Sequence, residues 1–270
     1  MERSLENVKA ELLVLASRLH SFCLKNGINY SIHGGTMLGA IREKGFIPWD
    51  DDMDITFTRD EYEKFERALL SSMISEAILC KSGLYPRLIM KRKDQPVVWI
   101  DIFIYDYITD NPFLKKYKIT KLKLFNLMFR NPETLKYTQQ NSKNNKLRYC
   151  FVAAIVNYGY RADKERLLRK AYKTMLSFPG KKNWLCRTND TIVGMPKIVP
   201  GYVMDKYELI QFENIELMIS AFWNEILIAS YGNDYMTPKV TTEEETHSDF
   251  MNREIKEAEE EYNKVMNNHR

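Results

Sequence analysis

The sequence predicts a mixed α/β fold of the α+β type, in which helices flank a small mixed β-sheet. Three observations support this prediction. Helical and strand patterns alternate along the first 110 residues, the remainder is mainly helical, and a hydrophobic fraction of 44% in 270 residues is sufficient for a real core. We therefore expect an α/β core over residues 1–110 and a mainly helical extension over residues 111–270, which together could form one compact domain.

The elements of the first part follow from the spacing of its apolar residues. Residues 5–25 have an apolar residue at every third or fourth position, which predicts an amphipathic helix and not a signal peptide. Residues 51–58 alternate between apolar and polar, the pattern of a half-buried strand. The same reasoning predicts helices over 35–45 and 59–74 and strands over 28–34, 85–92 and 97–108.

The chain changes in character after Asn111. Residues 113–130 contain six basic residues and no acidic one, in a helical pattern. Two interpretations are open for this segment: a basic amphipathic helix on an anionic membrane, or a helix that packs its apolar face on the core. The rest predicts a loop over 131–146, one or two helices over 147–178, short strands over 182–217, and helices over 220–232 and 243–268.

Composition excludes several classes of protein. The four cysteines are scattered and form no CxxC pair, which indicates reduced thiols in a cytosolic protein. A net charge of +4 is too small to argue for nucleic acid binding. No run of 18 apolar residues is present, so we expect no membrane-spanning segment.

An acidic cluster, "WDDDMD" at residues 49–54, leads into the predicted strand over 51–58. Side chains at i and i+2 of a strand share a face, so Asp52 and Asp54 should project together while Met53 enters the core. Two adjacent carboxylates are unfavourable unless a cation neutralises them, and Mg²⁺ commonly binds one or two carboxylates together with phosphate oxygens. Asp50 shares this parity and could assist, whereas Asp51 points away.

Two further features accompany the cluster. Asp101 is a single carboxylate in an otherwise apolar strand, so it should face the same cation or act as a base with a raised pKa. Upstream, Gly34 and Gly35 lie between a strand and a helix, where glycine allows the backbone to approach a phosphate at the helix N-terminus.

Simpler explanations exist for each of these features. Most Gly-Gly pairs are turns, and most acidic runs are solvated loops or helix caps. Here a glycine turn, an alternating strand and a later Asp within a strand occur together, which favours a functional site. A calcium-binding loop of the EF-hand type is excluded because the required Gly and Glu do not follow at the right offsets.

Residues 33–55, "HGGTMLGAIREKGFIPWDDDMDI", resemble the LicD family, the phosphotransferases related to fukutin. "DIFIYD" at 101–106 resembles the family's second acidic motif, and "YGNDYMTP" at 231–238, with His247 beyond it, resembles its C-terminal segment. This last segment departs from the family in an inserted Asn233 and in a single following histidine where members often have two. The matching blocks cover residues 28–107 and 208–247.

The resemblance implies a nucleotidyltransferase-like core and transfer of a phospho-alcohol from a CDP-alcohol to a sugar hydroxyl, with release of CMP. Phosphocholine from CDP-choline is the leading donor group, and lipid-linked teichoic acid or another glycan precursor the acceptor. Ribitol or glycerol phosphate transfer, transfer of a nucleoside monophosphate, and a non-enzymatic binding protein or scaffold are the alternatives. We expect no nucleic acid partner, and a cytoplasmic location with peripheral contact at the inner face of the membrane through 113–130.

The resemblance also assigns roles to individual residues. Mg²⁺ or Mn²⁺ would be bound by Asp52 and Asp54, with Asp101 and Asp50. The catalytic residues would be Asp52, Asp54 and Asp101. Asp101 would either complete the metal site or act as base. The expected substrate-binding residues are His33, Gly34, Gly35, Thr36, Arg42, Lys44, Asp234 and His247. Arg42 or Lys44 would neutralise the leaving CMP, or would simply be a surface charge. His247 could equally be a structural histidine.

Overall fold

A computed structural model describes residues 4–135, 146–238 and 244–268 of the chain, without the side chains of 244–253 and of 267–268. The chain divides into two compact units. Unit 1 comprises residues 1–81, 86–105 and 202–270, and unit 2 comprises residues 82–85 and 106–201. The α/β class predicted from the sequence is confirmed.

The described elements are numbered in chain order. The helices are α1 (Leu5–Lys25), α2 (Gly34–Arg42), α3 (Arg59–Ser71), α4 (Pro112–Phe129), α5 (Lys146–Arg161), α6 (Lys164–Met175), α7 (Trp223–Tyr231) and α8 (Glu244–Asn268). The strands are β1 (Ser31–Ile32), β2 (Met53–Thr58), β3 (Ala77–Cys80), β4 (Arg87–Met90), β5 (Val98–Tyr107), β6 (Trp184–Arg187), β7 (Val199–Pro200), β8 (Tyr207–Phe212) and β9 (Ile215–Ser220). The first strand is shorter than the sequence predicted, because α2 already begins at Gly34.

The main sheet of unit 1 has the strand order β1-β2-β5-β4-β3. Only β2 and β5 run parallel among these neighbours, in a register that pairs Met53 with Ile100 and Asp54 with Asp101. A parallel pair needs a crossover connection, which here includes α3, β3 and β4. Met53 and Ile100 are buried. Asp54 and Asp101, the next pair in this register, are partly exposed.

The β8–β9 hairpin joins unit 1 although it is remote in the sequence. The Met218 N–H donates to Tyr30 Oη at 3.2 Å, and the Ser220 N–H donates to Ser31 Oγ at 3.0 Å. All four residues lie in the buried interior. The hairpin therefore closes over the segment that leads into β1.

The C-terminal helix α8 also belongs to unit 1. Ala258 and Tyr262 on α8 pack with Ile78, Ile89 and Trp99 of strands β3, β4 and β5 in one hydrophobic cluster. Burial of these apolar side chains fixes α8 against the sheet. Residues 202–270 thus complete the same unit as residues 1–81.

Unit 2 is built mainly from α4, α5 and α6, with the short antiparallel pair of β6 and β7. Leu122 and Phe125 of α4 pack with Leu167, Ala171 and Met175 of α6 in its core. The apolar face of the basic helix predicted over 113–130 therefore lies, at these positions, in a protein core. In the described parts of the chain, no helix combines the length and the apolar character needed to cross a bilayer.

Candidate functional site

The site is built around the start of α2, where two glycines meet two carboxylates. Gly34 has a φ of +55°, a conformation that side chains other than glycine rarely adopt. A Cβ atom on Gly34 would lie 2.5 Å from Asp54 Oδ2, and one on Gly35 would lie 2.7 Å from Asp50 Oδ2. The glycine pair thus makes room for carboxylates at a helix N-terminus, where the helix dipole favours negative charge.

Hydrogen bonds attach this turn to β2. The His33 N–H donates to the Asp54 carbonyl oxygen at 2.9 Å, and the Asp54 N–H donates to Thr36 Oγ1 at 2.9 Å. Thr36 is buried, so its hydroxyl fixes α2 on the strand. This geometry gives Thr36 a structural contact, besides the phosphate contact predicted from the sequence.

The ring of His33 lies in the protein interior. The side chain is 5% exposed, and its ring centroid is 5.7 Å from that of Phe103 and 6.3 Å from that of Tyr105, the latter in an edge-on arrangement. These packing contacts place the imidazole under the turn that precedes Gly34. The sequence predicted that His33 binds substrate. The ring contacts described for His33 are with protein side chains, and its role toward a substrate stays a prediction.

Three charged residues form a row across the sheet. The registers of the strands align Asp54 of β2 with Asp101 of β5, and Asp101 with Arg87 of β4. Arg87 Nε donates to Asp101 Oδ1 at 2.7 Å, and Arg87 Nη2 donates to Glu254 Oε1 of α8 at 2.8 Å. The guanidinium also lies 5.2 Å from the Trp99 ring centroid. Asp101 therefore has a protein cation beside it, whereas the sequence had predicted that it faces the same cation as Asp52 and Asp54 or acts as a base.

The electrostatics of the cluster favour uptake of positive charge. Burial raises the pKa of Asp52 to about 8, and the negative charges of Asp50, Asp101, Asp51 and Glu254 add to this effect. Burial also raises the pKa of Asp101; the Arg87 guanidinium opposes this rise. A cation bound beside Asp52 would oppose this rise of its pKa.

A divalent cation fits this set of donors. All candidate ligands are carboxylate oxygens, which suit Mg²⁺ or Mn²⁺, and a bound cation would oppose both the burial and the neighbouring negative charges that raise the pKa of Asp52. Among the side chains that the structure describes, no three acidic, histidine or cysteine groups are arranged to hold a metal ion by themselves. This is compatible with Mg²⁺, which usually binds one or two carboxylates and takes its remaining ligands from water and phosphate.

The connector between α2 and β2 is held from both sides. Lys9 Nζ donates to the carbonyl oxygens of Ile47 and Pro48 at 3.1 and 2.7 Å. The Phe46 N–H donates to Glu213 Oε1 at 3.0 Å. Helix α1 and the β8–β9 hairpin therefore fix the path of the chain immediately before Asp50.

Four of the predicted residues lie outside the acidic cluster, the start of α2 and β5, namely Arg42, Lys44, Asp234 and His247. Arg42 is the last residue of α2, about 12 Å of helical rise from Gly34, and Lys44 follows the C-cap residue Glu43. Arg42 Nε donates to Glu43 Oε1 at 2.9 Å. Asp234 is exposed in the turn after α7, where its carbonyl oxygen accepts the Thr237 N–H at 2.9 Å. His247 lies on α8, where its side chain is outside the described residues.

The structure adds residues that sequence reasoning missed. Arg87 had a detectable signal, since it is a single charge at the start of an apolar strand pattern, "RLIM". Glu254 had none, because it is one of many acidic residues on α8. Trp49, next to Asp50, is 64% exposed and offers an aromatic face beside the cluster.

One known protein family matches the part of the sequence that contains these residues. Residues 27–123 match the model of the LicD/FKTN/FKRP nucleotidyltransferase domain. This segment is therefore similar to a LicD-family nucleotidyltransferase domain, and we call residues 27–123 the LicD-family domain. The LicD-family domain includes the glycine pair, the acidic cluster, Arg87 and Asp101, whereas Glu254 and Glu213 lie outside it.

Similar proteins extend the comparison beyond the LicD-family domain. The chain is 34% identical over 149 residues to the lipopolysaccharide cholinephosphotransferase LicD of Haemophilus influenzae, covering 47% of this chain and 56% of that protein. Uncharacterised proteins of Rickettsia prowazekii and Rickettsia typhi are 28% identical over 148 residues and 31% identical over 151 residues. The first match covers 47% of this chain and 56% of the relative, and the second covers 49% of each. The chain thus spans about half the length of the curated relatives it matches.

Proposed function

We propose that this protein transfers phosphocholine from CDP-choline to a sugar hydroxyl of a lipid-linked glycan precursor, of the teichoic acid type, and releases CMP. One observation supports this most strongly: the LicD-family domain contains the glycine pair and the row of carboxylates on adjacent strands. The similarity to a lipopolysaccharide cholinephosphotransferase supports phosphocholine as the transferred group. A cytoplasmic location, where a CDP-alcohol would be supplied, belongs to the same proposal.

The reaction requires one bond to form and one to break at the phosphocholine phosphorus. The oxygen of the acceptor hydroxyl forms the new bond, and the bond to the oxygen that links the two phosphates breaks. That oxygen leaves with the electron pair as part of CMP, and the hydroxyl proton passes to a carboxylate. A carboxylate with a raised pKa is the better proton acceptor, which favours Asp101 for this role, because a cation bound at Asp52 would lower the pKa of Asp52.

The remaining residues bind and orient. Arg87 fixes one oxygen of Asp101. The N-terminus of α2, which begins at Gly34, would offer backbone N–H groups to a phosphate. Asp52, Asp54 and Asp50 would hold Mg²⁺ or Mn²⁺, and Asp101 would complete this set in place of its role as base. When bound, this cation would neutralise phosphate charge that develops on the leaving group. Asp234 and His247 stay candidates for acceptor binding.

The membrane contact predicted through residues 113–130 is part of the proposal. Phe113 and Tyr117 at the start of α4 are 82% and 53% exposed, and Lys116 is exposed between them. Lys118, in contrast, is buried. Only the N-terminal half of α4 would therefore face an anionic surface.

Calorimetry with defined donors tests the proposed function. CDP-choline, CDP-ribitol and CDP-glycerol are each titrated with and without Mg²⁺, and the products of a reaction with an acceptor glycan are analysed. We expect CDP-choline to bind most tightly, with Mg²⁺ increasing its affinity, and CMP to be released. Tighter binding of another CDP-alcohol would contradict the donor, and release of a product other than CMP would contradict the reaction.

A further inference from the structure

Helix α5 of unit 2 has an apolar surface on the side that faces away from the protein. Leu147, Phe151 and Tyr158 are 85%, 67% and 64% exposed. Their spacing of four and seven residues places them within about 40° of one another around the helix, and the exposed Ala154 lies between them. We call these four residues the α5 stripe.

The stripe lies opposite the packed side of the helix. Val156 and Gly159 are the buried residues of α5, and Val156 points about 160–180° away from Leu147 and Tyr158. A helix at the surface of a protein in water normally presents polar residues on its outer side. A continuous line of exposed leucine, phenylalanine and tyrosine therefore indicates a surface that is covered in use.

A basic groove adjoins the stripe. A cavity of about 560 Å³ lies between α5 and α6, and Ala154 and Tyr158 line both the cavity and the stripe. Three cations line the same cavity, namely Arg161, Arg166 and Lys170. Its one acidic lining residue is Asp163, whose side chain accepts the Arg166 N–H as the N-cap of α6. The groove therefore places three positive charges and one negative charge beside apolar side chains.

The charge of unit 2 extends beyond this groove. Residues 106–201 contain 20 of the 40 lysines and arginines of the chain and only 6 of its 36 acidic residues. The mild net charge of +4 thus conceals a strongly basic unit and an acidic remainder. Such a field attracts an anionic surface, and the attraction falls as salt increases.

We propose that the α5 stripe and the adjoining groove dock unit 2 on an anionic lipid bilayer. The stripe enters the boundary between head groups and acyl chains, and Arg161, Arg166 and Lys170 bind lipid phosphates. Apolar side chains next to cations are the combination that peripheral membrane helices use. This surface differs from the contact predicted through α4, and its binding to lipid does not depend on the proposed transfer reaction.

Cys150 provides a direct test without any substitution. It is exposed on α5, whereas Cys23, Cys80 and Cys186 are buried, so a thiol-reactive, polarity-sensitive dye will label Cys150 selectively. The full-length labelled protein is mixed with vesicles of phosphatidylglycerol and phosphatidylcholine, or of phosphatidylcholine alone. We expect a blue shift of the dye with the anionic vesicles only. The same dye on Leu70→Cys in a Cys150→Ser background, on the exposed end of α3, is expected to show none.

Two sets of variants separate the apolar and the charged contributions. We expect L147S/F151S to reduce co-sedimentation with anionic vesicles at least tenfold, and R166E/K170E to reduce it to a similar extent. The matched controls in unit 1 are L70S/M73S for the apolar change and K25E/K93E for the charge reversal, at exposed positions. Far-ultraviolet circular dichroism verifies that each variant is folded.

Several results would overturn the proposal. An absent dye shift with anionic vesicles would do so, because this readout needs no variant. Vesicle binding that the stripe variant leaves unchanged would mean that only charge attracts the protein. Binding lost in F113S/Y117S but kept in L147S/F151S would assign the contact to α4 instead. A stripe-dependent dimer in light scattering, without vesicle binding, would show that a second copy covers the stripe.

Discussion

Single residues determine how closely α2 can approach the carboxylates. Gly34 has both a left-handed backbone and a carboxylate at the position that a Cβ would occupy, so two separate requirements exclude other residues. Gly35 has only the second requirement. The two glycines of the motif are therefore not equivalent, although they look alike in the sequence.

We expect Gly34→Ala to destabilise the protein by about 1–3 kcal/mol, for two reasons: the alanine methyl would collide with the Asp54 carboxylate, and alanine rarely adopts the positive φ of this position. Displacement of Asp54 should also lower transfer activity. Chemical denaturation and activity are measured together. Gly83→Ala is the control, since a Cβ there would approach no atom closer than 3.8 Å. Equal stability of both variants would show that Asp54 does not contact Gly34.

A second prediction concerns Asp52. We expect Asp52→Asn to raise the melting temperature in the absence of divalent cations, because a buried aspartate with a raised pKa destabilises the folded state at neutral pH and asparagine does not titrate. Transfer activity should fall by about 10²-fold or more if Asp52 binds the cation or accepts the proton. Thermal unfolding in the presence of EDTA and a CMP release assay give the two values. Glu208→Gln, at an exposed site of β8, should change neither.

At the scale of elements, the C-terminal helix is joined to the site by one guanidinium. Arg87 on β4 holds Asp101 of β5 and Glu254 of α8, with all three side chains about 15% exposed. This arrangement is more than a surface ion pair, since removal of the arginine leaves two poorly solvated carboxylates without their partner. The position of Asp101 thus depends on a residue of α8, Glu254, that lies 153 positions further along the chain.

We expect Arg87→Leu to cost about 3–5 kcal/mol of unfolding free energy, and Glu254→Gln to cost less, because Asp101 then keeps its partner. Urea denaturation measures both. Arg67→Leu is the control, since Arg67 is 65% exposed and lies 3.9 Å from Glu63, so its loss should cost less than about 1 kcal/mol. A similar small cost for Arg87→Leu would contradict a role in holding Asp101.

The elements also show what sequence reasoning can reach. The alternation of residues 51–58 predicted the strand that carries Asp54, and the isolated Asp101 predicted a second carboxylate beside it; the register confirms that they are neighbours. Arg87 and Glu254 were missed because their contact joins positions 167 residues apart. Local periodicity contains no information about such a pair, which depends on where α8 packs.

At the scale of the whole molecule, two buried groups change the stability in opposite directions as the pH changes. Burial lowers the pKa of His20, whose Nδ1 lies 3.0 Å from Tyr30 Oη; Glu216 opposes this shift. A lowered pKa means that the unfolded chain binds the proton more readily, so this group destabilises the protein as pH falls below about 6.5. The raised pKa of Asp52 acts in the other direction, since it lowers stability as pH rises from about 4 to about 8.

The difference between wild type and His20→Gln isolates the histidine, because the carboxylates are common to both proteins. We expect wild type to lose more unfolding free energy than His20→Gln when the pH is changed from 7.5 to 5.5. The extra slope should not exceed about 1.4 kcal/mol per pH unit for one proton. Urea denaturation at both pH values supplies the comparison, and parallel pH dependences would show that His20 is protonated equally in both states.

The contacts of Lys9 and Glu213 with the connector before Asp50 have a practical consequence for the design of shortened versions of this protein. Lys9 and Glu213 hold that connector, and both lie outside residues 27–123, as does Glu254. A recombinant fragment cut at the limits of the family match would keep every candidate ligand among residues 50–101 and lose the side chains that position them. Expression boundaries for this protein should therefore follow the packing of unit 1 and retain α1, the β8–β9 hairpin and α8.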